Sequence, residues 1–363
     1  MGQPAPFAVS GDILPSRPYG TRARGRTETM SEVTPAVTET PTREPGTGAP
    51  GLADIYAAKI RIAPYLWQTP LFTSGTLSRM TGTNLRLKAE NLQRTGSFKT
   101  RGAINAVLRL SAEQRARGVV SFSAGNHGQA LAYAARLAGV RCTIFMAESA
   151  VPVKVEAIRG YGAETKFGPT IQEAFASMER FSAETGAIFV SPFAAPDVIA
   201  GQGTGGLEIL EEFPEVEQIV VAVGGGGLIS GIAQAVKAIR PEVRIVGVEP
   251  EHSSAMWQAL RVGEPLRIER NETIADGLAA PFTTELPLAI VQHYVDDIVL
   301  LTDDEILSAM RLILSRCKQL VEPAGAAATA ALLTNKAAAQ HGANTVAILS
   351  GGNIDLERLK GML

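Results

Sequence analysis

Cysteine is nearly missing from this chain: there are two, Cys142 and Cys317, in 363 residues. No Cys-x-x-Cys pair or Cys/His cluster surrounds either, which argues against a disulfide framework or a zinc site. Free thiols in a reducing compartment are the expectation. Charge of one sign is lacking too. The 34 basic residues face 36 acidic ones, a formal net charge of −2, so there is no basic stripe of the kind that binds nucleic acid. No apolar run reaches the roughly 18 residues of a membrane span. The N-terminus has no apolar signal-peptide stretch, and Pro6 stands where a myristoylation signal needs Ser or Thr. The cytoplasm is the expected location.

What is present reads as an ordinary globular protein of one large or two compact domains. Residues 1–50 hold eight of the 21 prolines and no apolar period. Such a segment cannot bury enough surface to offset its ordering entropy, so a disordered tail is expected. From residue 51 the pattern alternates. Strands are expected at 84–89, 119–122, 141–146, 163–167, 187–190, 218–223, 244–249 and 346–349. Helices are expected at 98–110, 129–138, 152–161, 171–184, 228–239, 303–318 and 324–335. Alternating strands and helices imply an α/β fold with parallel sheets flanked by helices. No composition shift marks a linker, so any two domains share an interwoven chain.

Four segments carry chemistry. The first is Gly224, Gly225, Gly226 and Gly227, directly after an apolar strand and before a helix. Four glycines let backbone N–H groups converge at a helix N-terminus, a nest for phosphate. Neither the dinucleotide nor the Walker spacing fits. The plainer alternative is a tight strand-to-helix turn. The second is Thr-Gly-Ser-Phe-Lys-Thr-Arg-Gly-Ala, 95–103, in which Lys99 opens a helix. A cation there opposes the helix dipole, and burial would lower the amine's pKa and make it nucleophilic. A surface lysine is the commoner fate. The third is Ser-Ala-Gly-Asn-His-Gly-Gln, 123–129, another strand–loop–helix junction suited to an anion, with a capping or core role as the alternative for His127. The fourth is Ser-Gly-Gly-Asn-Ile-Asp, 350–355. It places the Ser350 hydroxyl at a strand's carboxyl end, where open α/β sheets bind ligands, or else closes an Asx-type turn.

In this order, and with 198–204, 273–277 and 321–325, the chain from about Ile55 onward resembles the fold-type II pyridoxal-phosphate enzymes (tryptophan synthase β-like). It is most similar to the threonine/serine dehydratase and serine racemase branch. The resemblance implies two domains: 51–115 with 190–363 as a large cofactor-binding domain, and 116–189 as a small one. It implies pyridoxal 5'-phosphate on Lys99 as a Schiff base, with Lys99 also removing the substrate's α-proton. Phe98 would pack on the cofactor ring. Gly224 to Gly227 with Leu228 would hold the phosphate, Asn126 the ring 3-oxygen, and Ser350 the pyridine nitrogen. Ser123, Asn126 and His127 would lie in the loop gripping the substrate carboxylate, and Gly277 and Glu322 would line the site. A homodimer or homotetramer acting on threonine or serine follows by the same analogy.

Departures from the family pattern narrow the reaction to β-hydroxyl elimination, giving a 2-oxo acid and ammonia. Racemases of this type place a second base where this chain has Ala124, and an arginine near the substrate where it has Ala174. A divalent-metal site of some relatives would pair Glu249 with a carboxylate at the position of Ala255, so no metal is expected. Ser191, Pro192 and Phe193 replace a His-Pro-Phe run. The chain ends soon after Ser350, leaving no room for a C-terminal regulatory domain, which favours a catabolic enzyme. The alternatives are an amino-acid racemase, a hydroxyaspartate dehydratase, or a phosphate-ligand binder without catalysis.

Overall fold

The computed structural model describes residues 48–363, so the expected tail lies outside the described residues except for its last three positions. Among the described residues, ten strands form two sheets. They are β1 (Leu71–Thr73), β2 (Asn84–Lys88), β3 (Val119–Phe122), β4 (Cys142–Ala147), β5 (Glu164–Gly168), β6 (Ile188–Phe189), β7 (Gln218–Ala222), β8 (Arg244–Pro250), β9 (Asp297–Leu301) and β10 (Asn344–Ile348). The helices are α1 (Leu52–Ile62), α2 (Gly75–Thr81), α3 (Lys99–Leu108), α4 (Ala112–Arg117), α5 (Asn126–Ala138), α6 (Pro152–Gly160), α7 (Ile171–Thr185), α8 (Pro196–Glu212), α9 (Gly227–Lys237), α10 (Ala255–Val262), α11 (Glu285–Tyr294), α12 (Asp303–Leu312), α13 (Pro323–Leu333) and α14 (Leu356–Met362).

The six-stranded sheet runs β1-β2-β10-β7-β8-β9 and the four-stranded sheet β5-β4-β3-β6. Every pairing is parallel except β1 with β2, an antiparallel edge. The fold is α/β, with helices on both sides of the sheets. Period-two alternation explains why. Leu85, Leu87, Val220, Val246 and Leu349 face one layer, with α12 and α13. Ile219, Val221, Ile245, Val346 and Ile348 face the opposite layer, with α8, α9 and α11. A central parallel strand must be apolar on both faces, which is why these segments read as continuous apolar runs.

Several boundaries differ from the expected ones. α5 begins at Asn126, three residues before the expected 129, because Gly125 takes the cap position and lets the chain turn at once into helix. The expected helix 303–318 is α12 to Leu312, then a wider π-helical turn to Cys317, ended by Lys318 at φ 59°. α1, α2, α4, α8, α10, α11, α14, β1 and β9 lie outside the expected elements. The glycines spaced through α8 lower helix propensity, yet they are what the packing needs. A Cβ on Gly201 would lie 2.6 Å from Gly102 Cα, and one on Gly231 would lie 2.5 Å from Gly203 N. α3, α8 and α9 thus cross at backbone contact distance.

Beside that crossing Arg101 is buried, 1% exposed. Its Nε and Nη2 each reach Glu90 at 2.8 Å, and its Nη1 and Nη2 each reach Glu208 at 2.7 Å. Lys88 Nζ adds a 2.7 Å contact to Glu208. Burial alone would raise the Glu90 carboxyl, but Arg101, with Lys88 and Thr69, holds it below the usual carboxylate range. Truncating one partner strands buried charge, which costs about 3–5 kcal/mol. Arg101→Leu is therefore expected to lose stability of that order in urea unfolding, and a loss under about 1 kcal/mol would place the pair in the surface class.

Candidate active site

Three neighbouring strands of the large sheet deliver the chemistry-bearing segments from their carboxyl ends. β2 leads to Lys99, β7 to the glycine turn, and β10 to Ser350. The small sheet adds the segment after β3, which holds Ser123 to His127, and the segment after β6, which holds Ser191 to Phe193. Carboxyl ends of parallel strands are where open α/β sheets bind ligands.

The contacts close into a ring. Lys99, the first residue of α3, donates from Nζ to the Pro192 carbonyl at 2.8 Å. The next residue, Phe193, packs on the glycine turn, where a Cβ at Gly225 would lie 2.4 Å from its ring. Gly226, at φ 94°, caps α9. Gly224 lies against the Gly277 carbonyl and Leu278, and Gly277 against Ala324 and Glu322. The Glu322 carboxylate accepts from Asn126 Nδ2 at 2.5 Å, and Asn353 Nδ2 donates to Asn126 Oδ1 at 2.8 Å. Ser350 Oγ donates to the Ala324 carbonyl at 3.2 Å, and its own carbonyl accepts from Phe98 N–H at 3.1 Å. Ser97 pairs with Gly351 to complete the circuit.

Electrostatics set the amine apart. Burial lowers Lys99 from 10.5 to about 8, against the upward pull of Glu322. Part of the residue stays open to solvent, while the amine itself is desolvated. Glu322 is pushed up to about 7 by burial, opposed by the Asn126 hydrogen bond.

Not every expected residue faces the ring. Asn126 and His127 lie in the first helical turn of α5, not in a loop. His127 is buried, and its Nε2 donates to the Val190 carbonyl at 3.0 Å. Burial, then the Lys99 charge, pushes it down to about 3. Its ring is turned to the Val190 carbonyl, and burial favours its neutral form. Ser123 Oγ accepts from Gly125 N–H at 3.2 Å. The Leu228 side chain is buried in the layer of α8, α9 and α11, leaving its backbone at the turn. Phe98 is half-buried, its ring centroid 5.1 Å from Lys99 Nζ. Ala174 lies on α7 against Gly168, within the small-sheet layers. The Glu249 carboxylate accepts from Met256 and Trp257 N–H at 3.0 and 2.7 Å, capping α10.

Asn353, Pro192 and Phe193 join the ring without having been singled out as site residues. Asn353 lies in the 350–355 segment, but its partner Asn126 is 227 positions away, so no local signal pairs them.

Residues 62–351 match the family model described as pyridoxal-phosphate dependent enzyme. The chain belongs to the pyridoxal-phosphate dependent enzymes. Within them it falls in the threonine dehydratase family. It is 44% identical to an L-threonine ammonia-lyase of Thermotoga maritima over 309 residues, covering 85% of this chain and 77% of that protein. Among solved structures, a T.th. threonine deaminase superposes with TM-score 0.80 at 41% identity, covering 85% of this chain and 99% of that one. Maize serine racemase superposes with TM-score 0.83 at 38% identity, covering 86% and 96%.

The residues fit the cofactor of a pyridoxal-phosphate dependent enzyme. They offer a desolvated amine, a side-chain-free turn at the N-terminus of an 11-residue helix, and a neutral hydroxyl at the end of β10. In the cofactor-free protein, acylation of Lys99 is expected to rise with a midpoint near pH 8. A midpoint at the ordinary 10.5 would contradict a buried amine.

Proposed function

We propose that this chain is a threonine/serine ammonia-lyase, which eliminates the β-hydroxyl to give a 2-oxo acid and ammonia. The observation that carries the proposal is the meeting of the low-pKa Lys99 amine, the glycine turn and the Ser350 hydroxyl at the carboxyl ends of β2, β7 and β10. The similarity to L-threonine ammonia-lyases supports it.

Pyridoxal phosphate, when bound, supplies the electron sink for charge developing at the substrate's α-carbon. Lys99 Nζ would hold it covalently and, once free, take the α-proton; an amine with a pKa near 8 is largely in balance with its neutral form at working pH. The backbone N–H groups of Gly224 to Gly227 and Leu228, at the N-terminus of α9, would hold the phosphate. Ser350, neutral rather than ionised, would meet the ring nitrogen without stabilising its protonated form. Phe98 would flank the ring, and Asn126 would donate to the ring oxygen. The N-terminus of α5, with Ser123, Asn126 and the His127 main chain, would hold the substrate carboxylate, since helix N-termini favour anions. Gly277 and Glu322 would close the side of the crevice.

Elimination is favoured over inversion by Ala124, whose methyl group cannot carry a proton on the face where a racemase needs a second base. The two sheets also support the division into a large domain, 51–115 with 190–363, and a small one, 116–189.

Incubation with threonine is expected to yield 2-oxobutanoate and ammonia, and Lys99→Ala to lower the rate by at least about a thousandfold. Serine that changed hand without forming an oxo acid would establish the racemase instead. Sedimentation of the cofactor-loaded protein is expected to give a homodimer or homotetramer; a monomer would refute that part.

A further inference from the structure

Residues 190–195 carry the chain from β6 of the small sheet to α8, which packs on the large one, without regular structure. Their start is pinned: the Val190 carbonyl accepts from Ser121 Oγ at 2.8 Å and from His127 Nε2 at 3.0 Å. Their end is Ala195, the N-terminal cap position of α8. Between those points a hydroxyl closes the turn. Ser191 Oγ accepts from the Ala194 N–H at 3.0 Å and, more loosely, from the Phe193 N–H at 3.4 Å. Among the described residues neither N–H has another partner. Serine hydroxyls make such turns by standing in for a backbone carbonyl. Ser191 stands where the family run begins with histidine, so this turn belongs to the chain's own sequence.

The turn fixes two groups that face the crevice. One is the Pro192 carbonyl, which accepts from Lys99 Nζ at 2.8 Å. A buried amine has little water to donate to, so a fixed acceptor matters there. Pro192 has a ring-locked φ and no N–H of its own, so the hydrogen bonds that hold the turn must come from its neighbours. The other group is Phe193. A Cβ at Gly225 would lie 2.4 Å from its ring, and one at Gly227 would lie 2.7 Å from its carbonyl oxygen. The acceptor of the amine and the residue packed on the glycine turn are thus adjacent in the chain, and one turn sets the distance between them.

We propose that Ser191 is a positioning residue: by closing the turn 191–194, it holds the Pro192 carbonyl where the Lys99 amine docks whenever that amine is not bonded to the cofactor. The inference rests on the reading that Lys99 bonds the cofactor.

Lys99 must leave this carbonyl to bond the cofactor, and it has the carbonyl as its acceptor each time it is released. A docked amine stays close and oriented for its return, an advantage of proximity that a loosened turn removes. Alanine at position 191 strands the Ala194 N–H and lets the Pro192 carbonyl drift, whereas threonine keeps the hydroxyl.

The test uses the full-length holoenzyme and glycine, which has the amine of an amino acid but no β-hydroxyl to eliminate. Glycine is added until it displaces Lys99 and shifts the visible cofactor band. On dilution the band returns as Lys99 bonds the cofactor again, and the rate of return is the readout. Ser191→Ala is expected to slow the return about fivefold, the worth of one net hydrogen bond. Ser191→Thr is expected to return at the wild-type rate. A merely structural Ser191 would lower the melting temperature of Ser191→Ala and leave the return rate of the folded enzyme unchanged, and that result overturns the proposal. Equal slowing in Ser191→Thr would trace the effect to something other than the hydroxyl and overturns it too. If the alanine variant does not fold, Ser191→Cys, whose thiol is a weak acceptor, decides on the same rate. If Lys99→Ala keeps the visible band, or glycine leaves the wild-type band unmoved, the underlying reading of Lys99 fails and takes the proposal with it. If Lys99→Ala loses the band while every Ser191 variant returns at the wild-type rate, that reading stands and the proposal alone fails.

Discussion

Two residues beyond Lys99, the Arg101 guanidinium is forked onto two carboxylates at once, and much of the active crevice hangs from that contact. Glu90 follows β2 and Glu208 lies on α8, so one side chain pins the start of α3 to the sheet and to its neighbouring helix. The desolvation cost of four buried charges is large, and such clusters are weak evidence for stability. Here the donors are fully used, with Thr69 and Thr204 also accepting from Arg101. What the cluster specifies is geometry, namely where the first turn of α3, and hence Lys99, sits.

The glycine contacts propagate that placement. α3 meets α8 at Gly102 and Gly201, and α8 meets α9 at Gly203 and Gly231, each at distances that admit no Cβ. α9 begins at the glycine turn. The amine and the proposed phosphate nest are therefore two ends of one stack of helices in backbone contact, and neither can shift far without the other. Within the crevice, burial dominates the chemistry. It lowers the Lys99 amine, raises the Glu322 carboxyl and lowers the His127 imidazole, so one desolvating environment moves three groups toward their neutral forms.

The regular core was readable because its strands obey period two and its helices carry recognisable ends. Pro152 opening α6 and the apolar run of β7 before the glycines are local signals, and the structure agrees with them within a residue or two. Where reading failed, the controlling interaction was distant or the local signal was contrary. The glycines of α8 speak against a helix until Gly102 and Gly231 are seen pressed against them. β1 and β9 are edge strands with only one partner each, so their burial pattern is weak. The sequence shows the neighbours of His127 but not the Val190 carbonyl, 63 positions away, to which its ring is turned.

The sequence alone determined the α/β class and the parallel sheets, and it singled out the four segments that the fold brings to one crevice, because alternation, helix caps and glycine runs are local properties of a chain. It also supplied Ala124, whose lack of a proton-bearing atom needs no coordinates. Only the tertiary structure decided which side chains meet: Lys99 with Pro192, Asn126 with Glu322 and Asn353, and Arg101 with Glu90 and Glu208. Those pairings lie up to 227 positions apart, and they set pKa values and amide orientations through burial and directional hydrogen bonds, which exist only once the strands have brought their carboxyl ends together.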